Sequence, residues 1–291
     1  MIKDLVGRIS EKNPKRILLQ LPDGLKTRAL EIVSAIEKKG IEVFLSADTC
    51  YGACDLRDDE AKQMKCDLLV HVGHDKFFRD FETTIPVLFY SWKIEAGLSM
   101  DAVDFSLIRE KRIGLLTTTQ HLDSLDSVAS RLEEIGKKPV IGGKILGCFA
   151  GNAEKIRDEV DCFLFIGSGM FHPLGIKGKK TYVLDLEKQE LHVLDFNKLE
   201  KRKYANIFKA RDADSFGILV SSKKGQFNLA EAMKIKKYLE NKDKKAFILI
   251  MDEISNEKLE GLKMDAFINT ACPRIEIKKA INIADLKEVF E

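Results

Sequence analysis

Residues 16–23 read RILLQLPD, and the same kind of opening returns twice, as RIGLLTTTQ at 112–120 and FGILVSSKKGQ at 216–226. Each is a short, continuously apolar run that ends in polar residues, the pattern of a strand covered on both faces. An amphipathic helical stretch follows each run and leads to a second strand: IEVFLSA at 41–47, KPVIGGKIL at 138–146 and KAFILIM at 245–251. After a further helical segment an aspartate opens a third strand: Asp67 in DLLVHVGH, Asp161 in DCFLFIGS and Asp265 in DAFINTAC. From Ile17 to Asp67 is 50 residues, from Ile113 to Asp161 is 48, and from Phe216 to Asp265 is 49. Unrelated segments would rarely keep step so closely, so the chain reads as three copies of one unit.

Strands alternating with helices of this length imply parallel strands joined by crossover helices. The fold class expected is α/β: three tandem homologous α/β/α domains with small parallel sheets, at 1–106, 107–209 and 210–291, arranged around a central site. The charged stretch NKLEKRKYANIFKARDADS (197–215) reads as a connector containing a solvated helix, and IADLKEVFE (283–291) as a closing amphipathic helix.

Composition narrows the function classes. With 45% hydrophobic and 32% charged residues, the chain has the profile of a soluble globular protein. A net charge of +2 argues against a nucleic-acid binder that works through a broad basic face, so no direct nucleic-acid partner is expected. No apolar run reaches the roughly 18–20 residues a bilayer demands. The opening MIKDLVGRISEKNPKR lacks the apolar stretch of a signal peptide. A cytoplasmic protein without a membrane partner is the expectation. In that reducing compartment the six cysteines are packed thiols, redox thiols or metal ligands, not disulfides.

Their positions divide them. Ligands of open parallel sheets gather beyond the carboxyl ends of the strands. Cys54, in DTCYGACDL, and Cys148, in KILGCFAGN, both follow a second strand, and each precedes its unit's aspartate by 13 residues. The third unit has MDEIS there, and its thiol is Cys272 in NTACPRI, at the place that holds His74 and Ser168 in the other units. That is a different loop at the same sheet edge. One thiolate from each unit suits either Zn²⁺ with an open position or a cubane cluster with one iron free, and spacing alone leaves both open. Cys66 and Cys162 lie beside or within the third-strand motif and read as packed small hydrophobes. Cys50 and Cys54 form an incomplete half of the usual radical-enzyme cluster motif. His71 and His74 read as core or loop histidines, with one of them a candidate to face a substrate. GSGMFHPLG lacks the Gly-Lys-Ser/Thr ending of a phosphate loop, and Trp92 reads as a packing or interface anchor.

The stretches LPDGL (21–25), TCYGACDL (49–56), HVGH (71–74), GKILGC (143–148), FIGSGMFHPLG (165–175), SSKKGQ (221–226) and NTACPRI (269–275), in this order and spacing, resemble the diphthamide synthase family over nearly the whole chain. The resemblance implies three homologous α/β domains, each offering one cysteine to a [4Fe–4S] cluster. Carried over residue by residue, these are Cys54, Cys148 and Cys272. It implies cleavage of S-adenosylmethionine to methylthioadenosine and a radical transfer of the 3-amino-3-carboxypropyl group. The acceptor is C2 of a histidine imidazole on translation elongation factor 2, in the first step of diphthamide biosynthesis. An electron donor and, in archaea, a homodimer are the further partners implied. Arg274, two residues after Cys272, is a candidate to grip the cofactor's carboxylate, and Gln226, at the end of the third unit's first strand, a candidate second contact. EIKKA (276–280) departs from the acidic residues of many relatives, which bears on contacts at that end. Quinolinate synthase, which also builds a three-cysteine cluster from three similar domains but acts on small metabolites, is the enzymatic rival. An electron-delivering or scaffolding subunit is the non-enzymatic one, and the presence of all three cysteines argues against a pure scaffold.

Overall fold

RILLQ at Arg16–Gln20 forms β1, the inner strand of the first of three sheets in a computed structural model that describes residues 1–78, 81–93 and 103–290. Around it run β2 (Glu42–Leu45), β3 (Leu68–Val72) and β4 (Val87–Tyr90), all parallel, in the order β2-β1-β3-β4. The connecting helices are α1 (Ile2–Glu11), α2 (Asp23–Lys26), α3 (Ala29–Glu37) and α4 (Asp58–Gln63). Alternation within the apolar run loads both faces. Ile17 and Leu19 pack with Leu5 and Ile9 of α1 and Ile32 of α3, while Leu18 packs on the other side with Leu69 and Ala61 of α4. That is one α/β/α sandwich.

The second sheet repeats the order: β5 (Arg112–Thr117), β6 (Lys138–Lys144), β7 (Cys162–Gly167) and β8 (Thr181–Asp185) are arranged β6-β5-β7-β8. It adds an edge strand, β9 (Glu190–Val193), antiparallel to β8. Helices α5 (Leu125–Glu134) and α6 (Gly151–Ile156) cover its two faces, through Val128 and Leu132 on one and Ala153 on the other. In the third, α7 (Asn197–Arg211) precedes β10 (Ser215–Ser221), α8 (Leu229–Glu240), β11 (Lys245–Met251), α9 (Asn256–Leu259), β12 (Ala266–Asn269), β13 (Ala280–Asn282) and α10 (Leu286–Phe290). Its strands are again parallel, in the order β11-β10-β12-β13. The connector is therefore more than a solvated link: Ile207 and Ala210 of α7 are buried with Phe216 and Ile235 in the third core. The closing helix forms as expected, with Phe290 against Phe216; residue 291 lies outside the described residues. Met1–Trp92 with Lys203–Glu291 make one compact unit, carrying the first and third sheets, and Lys93–Arg202 make the other, carrying the middle sheet. No helix among the described residues is long and apolar enough to cross a membrane.

The repeated aspartates have a physical reason. Each sits just before its third strand and turns its carboxylate onto backbone N–H groups where the first strand begins. Asp67 Oδ2 accepts from Lys15 N and Arg16 N at 2.7 and 3.0 Å, Asp161 Oδ2 from Arg112 N at 2.9 Å, and Asp265 Oδ2 from Asp214 N and Ser215 N at 3.2 and 2.9 Å. Hydrogen bonds favour the charged form and hold all three carboxyls below their ordinary value of 3.8, chiefly the Arg112 guanidinium at Asp161, the Ser215 hydroxyl at Asp265 and the backbone N–H groups at Asp67. A carboxyl lowered in the folded state stabilises it above the unfolded pKa, and that contribution disappears as pH falls through the folded one. Asp265→Ala should therefore melt at a lower temperature than the parent at pH 7, and the gap should close as the pH is brought below 3.8, followed by circular dichroism.

Candidate functional site

Cys54 lies in the loop after β2, and the loop after β10 fastens it. Gly225 N–H donates to Cys54 O at 3.1 Å, and a Cβ on Gly225 would stand 2.4 Å from Cys54 Cα. Only glycine lets the two backbones meet this closely. Gln226 ends a short 3₁₀ turn (Lys224–Gln226), five residues beyond the end of β10, and its Nε2 donates to Cys54 Sγ at 3.4 Å. On either side, lysines from SSKKGQ meet aspartates from the cysteine loop. Lys223 Nζ donates to Asp55 Oδ2 at 2.7 Å and Lys224 Nζ to Asp58 Oδ2 at 2.6 Å. Asp55 and Lys223 are almost wholly buried, at 1% and 7% exposure, and the Lys223 ammonium also lies over the Tyr51 ring, 4.7 Å from its centroid. Tyr51 OH donates to Glu253 at 2.7 Å, and Arg57 reaches Asp252 at 3.1 Å. CYGACD and SSKKGQ are two halves of one clamp.

Cys272 follows β12 in a turn organised by Asn269. That buried amide donates to Cys272 O at 2.8 Å and to Asn282 Oδ1 at 3.0 Å, and its own oxygen accepts from Ala271 N at 3.0 Å. Asn228 Nδ2 donates to Thr270 O at 3.0 Å. Burial pushes the thiols of Cys54 and Cys272 above their ordinary value of 9.0, and the two are near enough for the negative charge of Cys272 to oppose ionisation of Cys54. Gln226 works against the rise at Cys54. At Cys272 the backbone N–H and guanidinium of Arg274, with the N–H of Ile275, do the same. Two half-buried thiols thus share one neighbourhood, with N–H donors turned towards their sulfurs. Left as thiols, they gain little from those donors; as thiolates bound to metal, they are suited to them.

In the other unit, Cys148 sits in a tight turn after β6, closed by reciprocal backbone hydrogen bonds of 3.0 Å between Leu146 and Phe149. FIGSGMFHPLG buttresses that turn: a Cβ on Gly147 would lie 2.6 Å from the Phe171 ring, and one on Gly175 would lie 2.6 Å from Gly147 O. The motif is a support for the cysteine turn, which explains its glycines without a phosphate.

The other residues singled out in the sequence fall as follows. Arg274 is half-buried beside Cys272, while Gln226 has its amide N–H on Cys54. Cys66 and Cys162 are packed in cores, Cys66 with Leu18 and Leu69 and Cys162 with Ile113 and Leu164. Trp92 is buried in the first core with the Arg28 guanidinium over its ring at 5.2 Å. His71, at the fourth position of β3, is fully buried beside His74 and Cys50. The lysine–aspartate clamp and the Asn269 latch were not anticipated from the sequence.

Over residues 21–282 the chain matches a family model described as "Putative diphthamide synthesis protein". The chain belongs to the diphthamide synthesis family. It is 34% identical over 290 residues to the 2-(3-amino-3-carboxypropyl)histidine synthase of Pyrococcus horikoshii, covering 94% of this chain and 83% of that one. Subunit 1 of the corresponding synthase from Schizosaccharomyces pombe is 29% identical over 299 residues, with 95% and 68% covered. The crystal structure of Dph2 from Pyrococcus horikoshii with a 4Fe-4S cluster matches with a TM-score of 0.89 at 32% identity, covering 99% of this chain and 89% of that one. Diphthamide synthesis proteins of this kind share the three-domain α/β fold found here.

Proposed function

We propose that this chain is a transferase of diphthamide biosynthesis, a 2-(3-amino-3-carboxypropyl)histidine synthase, whose acceptor is a histidine of translation elongation factor 2. Family membership supports the reaction class. The observation that carries the proposal is the pair of half-buried thiols, Cys54 and Cys272, each with N–H donors directed at its sulfur. The proposed ligands of a [4Fe–4S] cluster are Cys54, Cys148 and Cys272, one from each of the domains 1–106, 107–209 and 210–291. When bound, such a cluster supplies an electron and an open iron for the cleavage of S-adenosylmethionine to methylthioadenosine.

The chain's own residues have distinct tasks in this reading. Gln226 donates to Cys54 and stabilises it as a thiolate, as the Arg274 and Ile275 N–H groups do for Cys272. Arg274 is proposed to hold the carboxylate of S-adenosylmethionine through its guanidinium, and Gln226 to lend a second polar contact. The lysine–aspartate clamp fixes the Cys54 loop, so little reorganisation is needed on binding. The protein substrate requires a site open to a macromolecule, and a homodimer, a separate electron donor and a cytoplasmic location belong to the same proposal.

Incubated anaerobically with dithionite and S-adenosylmethionine, the protein should release methylthioadenosine; 5′-deoxyadenosine as the nucleoside product would overturn the proposed bond cleavage. Arg274→Ala should weaken S-adenosylmethionine binding by about tenfold to a hundredfold, the effect of losing a bidentate ionic contact of about 1.5–3 kcal/mol, with iron content unchanged.

A further inference from the structure

A second group of side chains able to ligate a metal lies at the carboxyl end of the first sheet, apart from the three cysteines assigned to the cluster. Cys50 Sγ, a nitrogen of His71 and a nitrogen of His74 all lie within 4.8 Å of one another. Cys50 and His71 are buried, at 4% and 0% exposure, and His74 is half-buried. The strand register brings this about. His71 of β3 pairs with Gln20 of β1, so two polar side chains stand adjacent on the sheet face that Leu18, Leu69 and Phe89 otherwise make apolar. Gly73, at φ +93°, then turns the chain so that His74 comes back beside His71. A Cβ at Gly73 would also meet Pro22 at 2.8 Å, so the turn leaves room for no other residue.

The hydrogen bonds fix which atoms are free to bind. Gln20 Nε2 donates to the backbone carbonyl of Asp55 at 2.6 Å, which sets the amide's orientation and leaves its Oε1 facing His71 Nδ1 at 3.0 Å. An amide oxygen only accepts, so His71 Nδ1 must carry the proton. His71 Nε2 is then a bare lone pair, and in the metal-free chain it accepts from His74 Nδ1–H at 3.1 Å. A metal-bound histidine is held in the same way, with its remote N–H donating to an oxygen that locks ring and tautomer. Burial keeps both imidazoles neutral, taking His71 down to about 3 and His74 to about 4. Around a tetrahedral ion with bonds of about 2.0–2.3 Å, neighbouring donors stand about 3.3–3.7 Å apart, so the group, within 4.8 Å throughout, needs only a small adjustment in which the 3.1 Å nitrogen pair widens slightly.

We propose that Cys50, His71 Nε2 and His74 Nδ1 form a binding site for a divalent d-block cation of the Zn²⁺ class, with its fourth position left to water or a substrate atom. One sulfur and two imidazole nitrogens make a borderline-soft donor set, which favours zinc over calcium or magnesium. Binding moves the His74 proton from Nδ1 to Nε2, displaces the Cys50 proton to solvent and leaves the thiolate on the metal. The repeat supports the assignment: His74 occupies in the first unit the position that Cys272 occupies in the third, so that loop presents a metal donor in both. The inference does not depend on the proposed reaction.

The test uses the full chain, anaerobically reconstituted with iron and sulfide, desalted, and titrated with Zn²⁺ against a chromophoric chelator. One Zn²⁺ per chain is expected beyond the iron, with one sulfur and two nitrogens in its X-ray absorption fine structure. Cys50→Ser and His74→Ala, each tested separately, should lower zinc affinity by more than a hundredfold while leaving iron content at the parental level. Gln20→Leu, which removes the partner of His71 Nδ1, should lower it by about 10–100-fold. Absence of stoichiometric zinc in the parent would overturn the proposal, as would zinc binding unaffected by both ligand substitutions. Loss of iron in Cys50→Ser would assign Cys50 to the cluster instead and overturn it equally. Failure of the cluster itself would appear as missing iron in the parent, a separate readout.

Discussion

Cys272→Ala is expected to yield a folded chain that retains no stable iron–sulfur cluster and forms no methylthioadenosine. The turn does not need the sulfur to hold its shape. Asn269 latches it through Cys272 O and Ala271 N, Asn228 ties down Thr270 O, and the β12–β13 pairing lies on either side. Alanine therefore removes the proposed ligand and leaves the turn. With one thiolate gone, a cluster has a second exposed iron and is lost to solvent or chelators. Iron and sulfide analysis under anaerobic conditions, with spectra before and after dithionite, should show iron falling from four per chain towards zero. Cys54→Ala should behave alike, whereas Cys66→Ala and Cys162→Ala, changes within packed cores, should keep the iron. Full iron content in Cys272→Ala would remove Cys272 from the ligand set and leave the site without its third-domain member.

The repeat was legible because one contact recurs at a fixed interval in each copy. Asp67, Asp161 and Asp265 each bind the start of a strand some fifty residues back, and that geometry fixes the interval between them in every copy. The apolar runs could be read as buried strands because both faces of each sheet are covered. The fourth strand of each sheet, and β9 as the fifth of the second, were missed. AIN at Ala280–Asn282 is too short to carry a period, and β9 is a hairpin return whose turn, at Gln189 with φ +54°, lacks a glycine signal. Gly114 and Gly217 look like weak points in strand patterns, yet they make room for Phe163 and Phe267 on the neighbouring strand, whose rings would lie 2.7 Å from a Cβ. In the first unit Leu18 and Leu69 fill the same pair of places. That exchange of volume between strands is invisible along the sequence.

Two of the thiols were legible by place. Cys54 and Cys272 stand at sheet edges, where topology sends ligands, and their motifs are distinctive. What holds them was not. Asp55 and Lys223 are 168 residues apart, and nothing in the pattern KKGQ distinguishes a lysine that will be buried from one that will be solvated. Gln226 could be read as a polar group near the site but not as a donor to sulfur. Likewise, His71 in an apolar strand reads as a core histidine until the register sets Gln20 beside it.

Lys223→Met should be the most destabilising single change in the Cys54 clamp. Methionine matches the lysine stem in length and packs well, so the loss is the ammonium, not the volume. Asp55 would then remain buried with its main partner removed, and breaking a buried pair in this way costs about 3–5 kcal/mol. Chemical denaturation of the metal-free chain would measure it. Replacing both partners, Lys223→Met with Asp55→Leu, should cost less than Lys223→Met alone, because no uncompensated charge is left. The pH dependence separates charge from packing. Burial already pushes the Asp55 carboxyl above its ordinary range, with Lys223 and then Arg57 opposing the shift. Without Lys223 that opposition is weaker and the carboxyl rises further. Protonating it removes the buried charge, so the penalty should be largest near neutral pH and shrink as the pH falls. A cost below about 1 kcal/mol, as for an exposed ion pair, would mean that the clamp does not hold the cysteine loop. A cost of the expected size but flat with pH would trace it to the lost packing over Tyr51 instead.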